Sequence, residues 1–141
     1  MSEVSKGWHC VYTIKYHIVW ITKYRYNKFF GQVDKDARTI LFEIAKEYDW
    51  EIEELGVEKD HVHVYISCEP TDRPDDVVKW LKKGSSQRLG KKYPYLKNKK
   101  GAVWGRGYFI STVNDKTISE QIKQYIRNQK AVSSQGKLFK D

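Results

Sequence analysis

The chain has 141 residues, 40% of them hydrophobic and 14% aromatic, enough for one domain with a packed core that needs no disulfide framework. Cys10 and Cys68 sit in apolar alternating runs and read as reduced core residues of a cytoplasmic protein. No apolar run approaches the about 18 residues of a membrane span, "MSEVSKGWHC" lacks the apolar centre of a secretory signal, and the formal net charge of +8 points to a polyanionic partner.

The first predicted element is a long strand, "WHCVYTIKYHIVWIT" (8–22), which alternates and is rich in β-formers. One side carries Cys10, Tyr12, Ile14, Tyr16, Ile18 and Trp20; the other carries His9, Thr13, Lys15, His17, Val19 and Ile21. "VDKDARTILFEIAKEY" (33–48) predicts a helix with Asp34 or Asp36 in its first turn and an apolar stripe of Ala37, Ile40, Leu41, Ile44 and Tyr48. "WEIEELGV" (50–57) is a weaker strand whose alternation breaks at Glu53-Glu54, which predicts a bulge or an edge position. "HVHVYISC" (61–68) is the clearest strand.

"RPDDVVKWLKKGSSQRLG" (73–90) predicts a second helix, with Pro74 near its start, Asp75 and Asp76 in its first turn and Gly90 as its stop. Gly90 to Gly105 reads as a basic loop and "GYFISTV" (107–113) as a fourth strand. "TISEQIKQYIRNQK" (117–130) closes the chain as a helix, opened by a capping box of Thr117 with Glu120. The order β-α-β-β-α-β plus a final helix predicts an α+β, ferredoxin-like (RRM-like) antiparallel sheet with helices on one face. The final helix must dock elsewhere, and the polar side of the sheet is open to it.

The charge is concentrated. Val77 to Asn114 contains no Asp or Glu but holds ten cations: Lys79, Lys82, Lys83, Arg88, Lys91, Lys92, Lys97, Lys99, Lys100 and Arg106. Without those ten, 16 basic residues face 18 acidic ones. Trp80, Tyr93, Tyr95 and Trp104 are interleaved with the cations, and stacking aromatics among cations suit unpaired bases. The segment is therefore a candidate DNA-binding surface; the plainer alternative is a solvated lysine-rich loop.

His61 and His63 lie at i and i+2 of a strand, so they share a face with Tyr65 and Ser67, while Val62, Val64, Ile66 and Cys68 share the other. The apolar set must face the helices. The two imidazoles are rooted roughly 7 Å apart on the free face, where their tips can converge on one metal ion. Two histidines make an incomplete shell, and an H-x-H pair by itself is weak evidence for a metal, since two idle surface residues give the same pattern. On the last helix Tyr125 and Gln129 are four apart, about 40° around the axis, on a stripe with Ile118 and Ile122. The Gln129 amide oxygen could complete the shell, and two imidazoles with an amide oxygen suit Mg²⁺ or Mn²⁺ better than a structural zinc.

These segments resemble a known family, the TnpA-type single-tyrosine HUH transposases of prokaryotic insertion sequences, whose relatives include the REP-associated tyrosine transposases. "YHIVWITKYRYNKF" (16–29) resembles the family's opening strand and basic turn, "DHVHVYIS" its HUH motif, "LKKGSSQRL" its K-G-S-S-R segment, "VWGRGYFISTV" its last strand and "YIRNQ" the Y-x-x-x-Q of its catalytic helix. Two departures stand out: Lys59-Asp60 where the family often has Pro-Asp, and Gln87 between Ser86 and Arg88. The resemblance implies one HUH domain over residues 1–141, Tyr125 as nucleophile, and His61, His63 and Gln129 holding Mg²⁺ or Mn²⁺. It implies cleavage and rejoining of single-stranded DNA through a 5′-phosphotyrosine, hairpin recognition at the element's ends, a homodimer, and work at the nucleoid in the cytoplasm of a prokaryotic cell.

Three rival readings remain open on sequence alone. A ferredoxin-like RNA-binding module would carry aromatics and an RNP1 run where this chain has histidines. A metal-free phosphoesterase would need two H-x-S/T motifs, and only one H-x-H is present. A host-adopted relative cutting repeated palindromes would share all of the chemistry.

Overall fold

The computed structural model describes residues 4–7, 9–21, 31–58 and 60–112, together with 121, 124, 125, 127 and 128 of the last helix. Gln129, the Thr117–Glu120 capping box, Ile118, Ile122 and the basic turn after the first strand lie outside the described residues.

The elements in chain order are β1 (Ser5–Lys6), β2 (Val11–Tyr12), β3 (Lys15–Ile21), α1 (Gln32–Glu47), β4 (Glu51–Val57), β5 (His61–Ser67), α2 (Pro74–Lys92), a 3₁₀ turn (Pro94–Leu96) and β6 (Phe109–Thr112). The long first strand is thus divided. Ile14 still accepts a hydrogen bond from the Cys68 N–H, and beyond it Val11 and Tyr12 leave the sheet to pair with Lys6 and Ser5. The main sheet runs β4-β5-β3-β6 with every neighbouring pair antiparallel, which is the ferredoxin-like order.

The alternation on β3 and β5 places the core. Ile18, Trp20, Val62, Val64 and Ile66 are fully buried against Ala37, Leu41 and Ile44 of α1 and Val77, Leu81 and Leu89 of α2. The "GSS" run of α2 serves this packing. A Cβ on Gly84 would lie 2.9 Å from Ile44 Cδ1, so glycine lets the two helices approach. Buried Ser85 accepts the Trp104 indole N–H at 2.8 Å and donates to the Leu81 carbonyl, while Ser86 Oγ accepts the Val103 N–H. Trp104 therefore belongs to the core, edge-on to Trp20 with ring centroids 5.8 Å apart, and is no stacking residue of the basic loop.

Gly90 does not stop α2, which continues to Lys92. Instead Gly90 is buried where the Lys97 side chain crosses, and a Cβ there would meet Lys97 Cδ at 2.8 Å. The expected irregularity in β4 is present as a register shift between Ile52 and Glu54, and β4 is an edge strand as well.

The end of α2 is fastened to the start of α1. Asp36 receives Lys92 Nζ at 2.7 Å, the Tyr93 hydroxyl and the Gln32 amide, which together hold its carboxyl at about 2. A depressed carboxylate stabilises the fold above its unfolded value of about 3.9, and that contribution is lost as pH falls toward about 2. Asp36→Asn should therefore flatten the acid limb of the stability curve in this window, measured by urea unfolding at stepped pH, with little change in the pH dependence near neutrality.

Candidate active site

The site is built on the sheet face that the helices leave open. On β5 the residues between the buried valines, His61, His63 and Tyr65, are half-buried there. Register supplies their neighbours. On β3, Ile21 lies opposite His61, Val19 opposite His63 and His17 opposite Tyr65. On β6, Phe109 lies opposite Val19 and Ser111 opposite His17.

The β4 bulge completes this floor. After the register shift, Leu55 and Val57 pair with Val64 and Val62 on the helix side, while Glu54 and Gly56 turn to the open side. Gly56 then lies opposite His63, and a Cβ on it would come within 1.9 Å of His63 Nε2. The absent side chain is the space in which the imidazole rests. Glu53, the extra residue, pairs with the buried Lys15 at 2.7 Å.

The two histidines are prepared differently. His61 Nδ1 lies 2.8 Å from Asp60 Oδ1, a contact that turns the ring and leaves Nε2 as the atom able to bind a metal. Burial is the main cause that lowers the His63 pKa, followed by the neighbouring His61, with Glu58 opposing. His63 is thus kept neutral, the form that ligates. The rings stand 5.8 Å apart and nearly parallel, 28° between planes. One oriented and one neutral imidazole on a common face fit a divalent cation as two of its ligands. Among the described residues no group of three or more His, Cys, Asp or Glu could hold a metal, so a third protein ligand must be of another kind or lie elsewhere.

Tyr125 is the residue of the last helix that is seen to reach this face. Its ring centroid is 5.9 Å from that of Phe109, which lies on the open face two strands across from His63. Its hydroxyl is buried with no hydrogen-bond partner among the described residues, and burial pushes the phenol up to about 12. His17 Nδ1 is also buried without a partner among them, and burial lowers its pKa. Buried polar atoms without partners are rare in folded proteins; of the three among the described residues, these two lie on the side of the sheet that carries the histidine pair, and the third, Trp20 Nε1, lies in the core.

The ten cations do not act alike. Arg88 holds Glu47 at 3.0 Å on α1, and Lys92 is taken by Asp36. Lys82 donates to the carbonyls of Gly105 and Gly107, both at 2.8 Å, and burial lowers its pKa to about 8. These three have partners within the fold. Lys79, Lys83, Lys91, Lys97, Lys99 and Lys100 are exposed and make no ion pair among the described residues, and Arg106 is exposed as well. Asp60, Gly56 and His17 were not anticipated as parts of the site. An acid directly before H-x-H was a readable signal for Asp60; nothing local marked Gly56, whose role depends on the bulge.

Comparison with known proteins gives a consistent result. The family profile described as IS200-like transposase matches residues 10–129. The ISDra2 transposase TnpA of Deinococcus radiodurans is 38% identical over 129 residues, covering 90% of this chain and 91% of that protein. The transposase for insertion sequence element IS200 of Salmonella typhimurium is 31% identical over 130 residues, covering 91% and 82%. The crystal structure of a transposase from Deinococcus radiodurans R1 superposes with a TM-score of 0.82 at 35% identity, over 89% of this chain and 97% of that one. A REP-associated tyrosine transposase bound to a REP hairpin shares the fold, with a TM-score of 0.57 at 14% identity over 89% and 70% of the two chains.

Proposed function

The chain belongs to the IS200-like transposase family and is a DNA transposase, and from that premise we propose that it cuts and rejoins single-stranded DNA with Tyr125 as its nucleophile. The observation that carries this reading is the buried Tyr125 hydroxyl, without a hydrogen-bond partner among the described residues, on the sheet face of the His61–His63 pair. A phenol stranded in this way is poorly explained by packing. It is well explained by a reacting group that enters its place with the substrate.

In the proposed reaction Tyr125 Oη attacks the phosphorus of a DNA phosphodiester. The P–O3′ bond breaks, a 5′-phosphotyrosine forms, the strand leaves as a 3′-OH and the phenol proton passes to solvent. A later 3′-OH attacks the same phosphorus and releases Tyr125, so the bond energy is conserved and no ATP is consumed. His61, His63 and Gln129 would hold Mg²⁺ or Mn²⁺. A bound cation supplies Lewis-acid polarisation of the phosphoryl oxygen and charge stabilisation for the leaving oxygen. Asp60 orients His61, and burial keeps His63 unprotonated for that task.

The test is a labelled single-stranded oligonucleotide containing the element's end, incubated with protein and Mg²⁺. An SDS-resistant adduct that maps by mass spectrometry to Tyr125 is expected. A non-catalytic binding module would give none.

The REP-associated relative is bound to a hairpin, and we carry that ligand class to this chain. Exposed Lys91, Lys97, Lys99 and Lys100 at the far end of α2 are the proposed stem contacts. Each phosphate neutralised adds about −0.9 to the log–log salt slope of duplex binding. Changing Lys97, Lys99 and Lys100 to Ala should flatten the slope of hairpin binding by up to about 2.7. An unchanged slope would reduce them to a solvated loop. The reading includes a homodimer: among the described residues β6 pairs only with β3, and a second copy could pair along its other edge. Light scattering tests that state.

A further inference from the structure

Three aromatic rings form a ladder on the helical side of the molecule, away from the histidines. At its base Trp50 is buried, and its indole N–H donates to Asp72 at 2.9 Å. Tyr48 stacks on Trp50 with centroids 4.7 Å apart and 17° between planes, and Trp80 of α2 lies next to Tyr48 at 6.0 Å and 24°. The ladder is firmly built. Asp49, with φ of 62°, ends α1 in the left-handed region, and the Trp50 N–H returns to the Ala45 carbonyl.

The outer rungs are partly exposed, Trp80 at 37% and Tyr48 at 41%. Lys79 and Lys83 stand over Trp80, with Nζ 5.1 and 5.9 Å from the ring centroid, and neither makes an ion pair among the described residues. Several acids on this side are already engaged: Glu47 by Arg88, Asp75 by Arg73 and Asp72 by Trp50. Asp76 lies one turn before Trp80 and Asp49 directly after Tyr48, so the cations that a phosphate beside the ring would meet are the two lysines over it.

A π-face preformed by stacking, overlain by two lysine side chains that make no ion pair among the described residues, has the chemistry of a base-stacking platform once those side chains turn to phosphate. We propose that the ladder is a seat for an unpaired nucleobase of single-stranded DNA, which stacks on Trp80 while Lys79 and Lys83 take the flanking phosphates. This deepens the single-strand reading above and rests on it, but it is independent of the Tyr125 chemistry. Trp80 stands 11 residues before Lys91 on α2, about 16 Å along the axis. A single strand on Trp80 would thus be a neighbour of a stem on the far-end lysines without overlapping it.

The test compares two ligands of equal charge: an oligothymidylate of about 12 nucleotides and an abasic chain of the same length. The intact protein should hold the first roughly 5- to 150-fold tighter, the range that one base–ring stack supplies. Trp80→Ala should bring that ratio toward parity, Trp80→Phe should keep most of it, and both should match the parent in thermal melts. Lys79→Ala with Lys83→Ala should instead reduce the salt slope by about 1.4 and leave the ratio in place. A ratio unchanged in Trp80→Ala overturns the proposal, as does an intact protein that does not distinguish the two ligands. Tyr125→Phe, which lacks the nucleophile, should keep the parent's ratio between the two ligands, so failure of the stacking seat and failure of the nucleophile are read in separate assays.

Discussion

Tyr125→Phe should abolish the covalent DNA adduct and reduce single-strand cleavage by about 10⁴-fold or more, the scale on which losing a nucleophile disables an enzyme. The substitution removes one oxygen and keeps the ring against Phe109. Because that oxygen is buried without a partner among the described residues, its removal leaves no stranded group behind. It also relieves a desolvation penalty of about 1–3 kcal/mol, so the variant should unfold at equal or higher urea than the parent. Inactivity combined with undiminished stability is the expected signature of a group retained for chemistry. An adduct that survives in Tyr125→Phe, or a marked loss of stability, would sink the assignment. Hairpin binding, read by electrophoretic shift, should be unchanged.

His61→Ala and His63→Ala should each lower Mg²⁺- or Mn²⁺-dependent cleavage by more than about 100-fold while hairpin binding persists. Asp60→Asn should fall about 10- to 100-fold and recover in part at high metal concentration, because it loosens a ligand without removing one. The direct readout is Mn²⁺ affinity by calorimetry, which should weaken in the same order in the absence of DNA. The pH profile carries a further sign. Metal binding needs neutral imidazole, and the lowered pKa of His63 keeps it neutral below the ordinary His value of about 6.5. The His63 contribution should therefore survive mild acidification and be lost only further down. Full activity in EDTA would contradict the metal reading.

Much of this was legible because period-two alternation is a local signal. "HVHVYIS" assigns its valines to the helices and its histidines to the free face with no knowledge of any neighbour. The Glu53-Glu54 break likewise announced the bulge. Contacts between distant residues were not legible. Arg88 and Glu47 are 41 residues apart and meet only because α1 and α2 pack together, so the sequence could not show that this cation has an acid partner. Lys82 is drawn in by two carbonyls 23 and 25 residues later, and Trp104 by Ser85 and Trp20. Composition identified a basic aromatic segment correctly, but it could not divide that segment into members that have partners within the fold and members that face solvent. The Tyr48 ring, placed on the apolar stripe of α1, is exposed because the helix ends there and the ring turns toward Trp80.

The bulge in β4 is a spare residue of strand length. In a regular strand Ile52, Glu54 and Gly56 would share one face; here the extra residue resets the phase, so Ile52, Leu55 and Val57 share it instead. Losing the single codon for Glu53 would leave Ile52 and Glu54 adjacent, opposite Ile66 and Tyr65 as they already are, so Leu55 and Val57 would stay with the helices and Gly56 would stay opposite His63. The cost would fall on Lys15, left buried without its anion. The regular β5 holds no such spare residue, and a single loss within it would exchange histidines and valines between the apolar layer and the open face. A lineage can therefore shorten the edge strand by one residue at the bulge, but not the strand that carries the histidines.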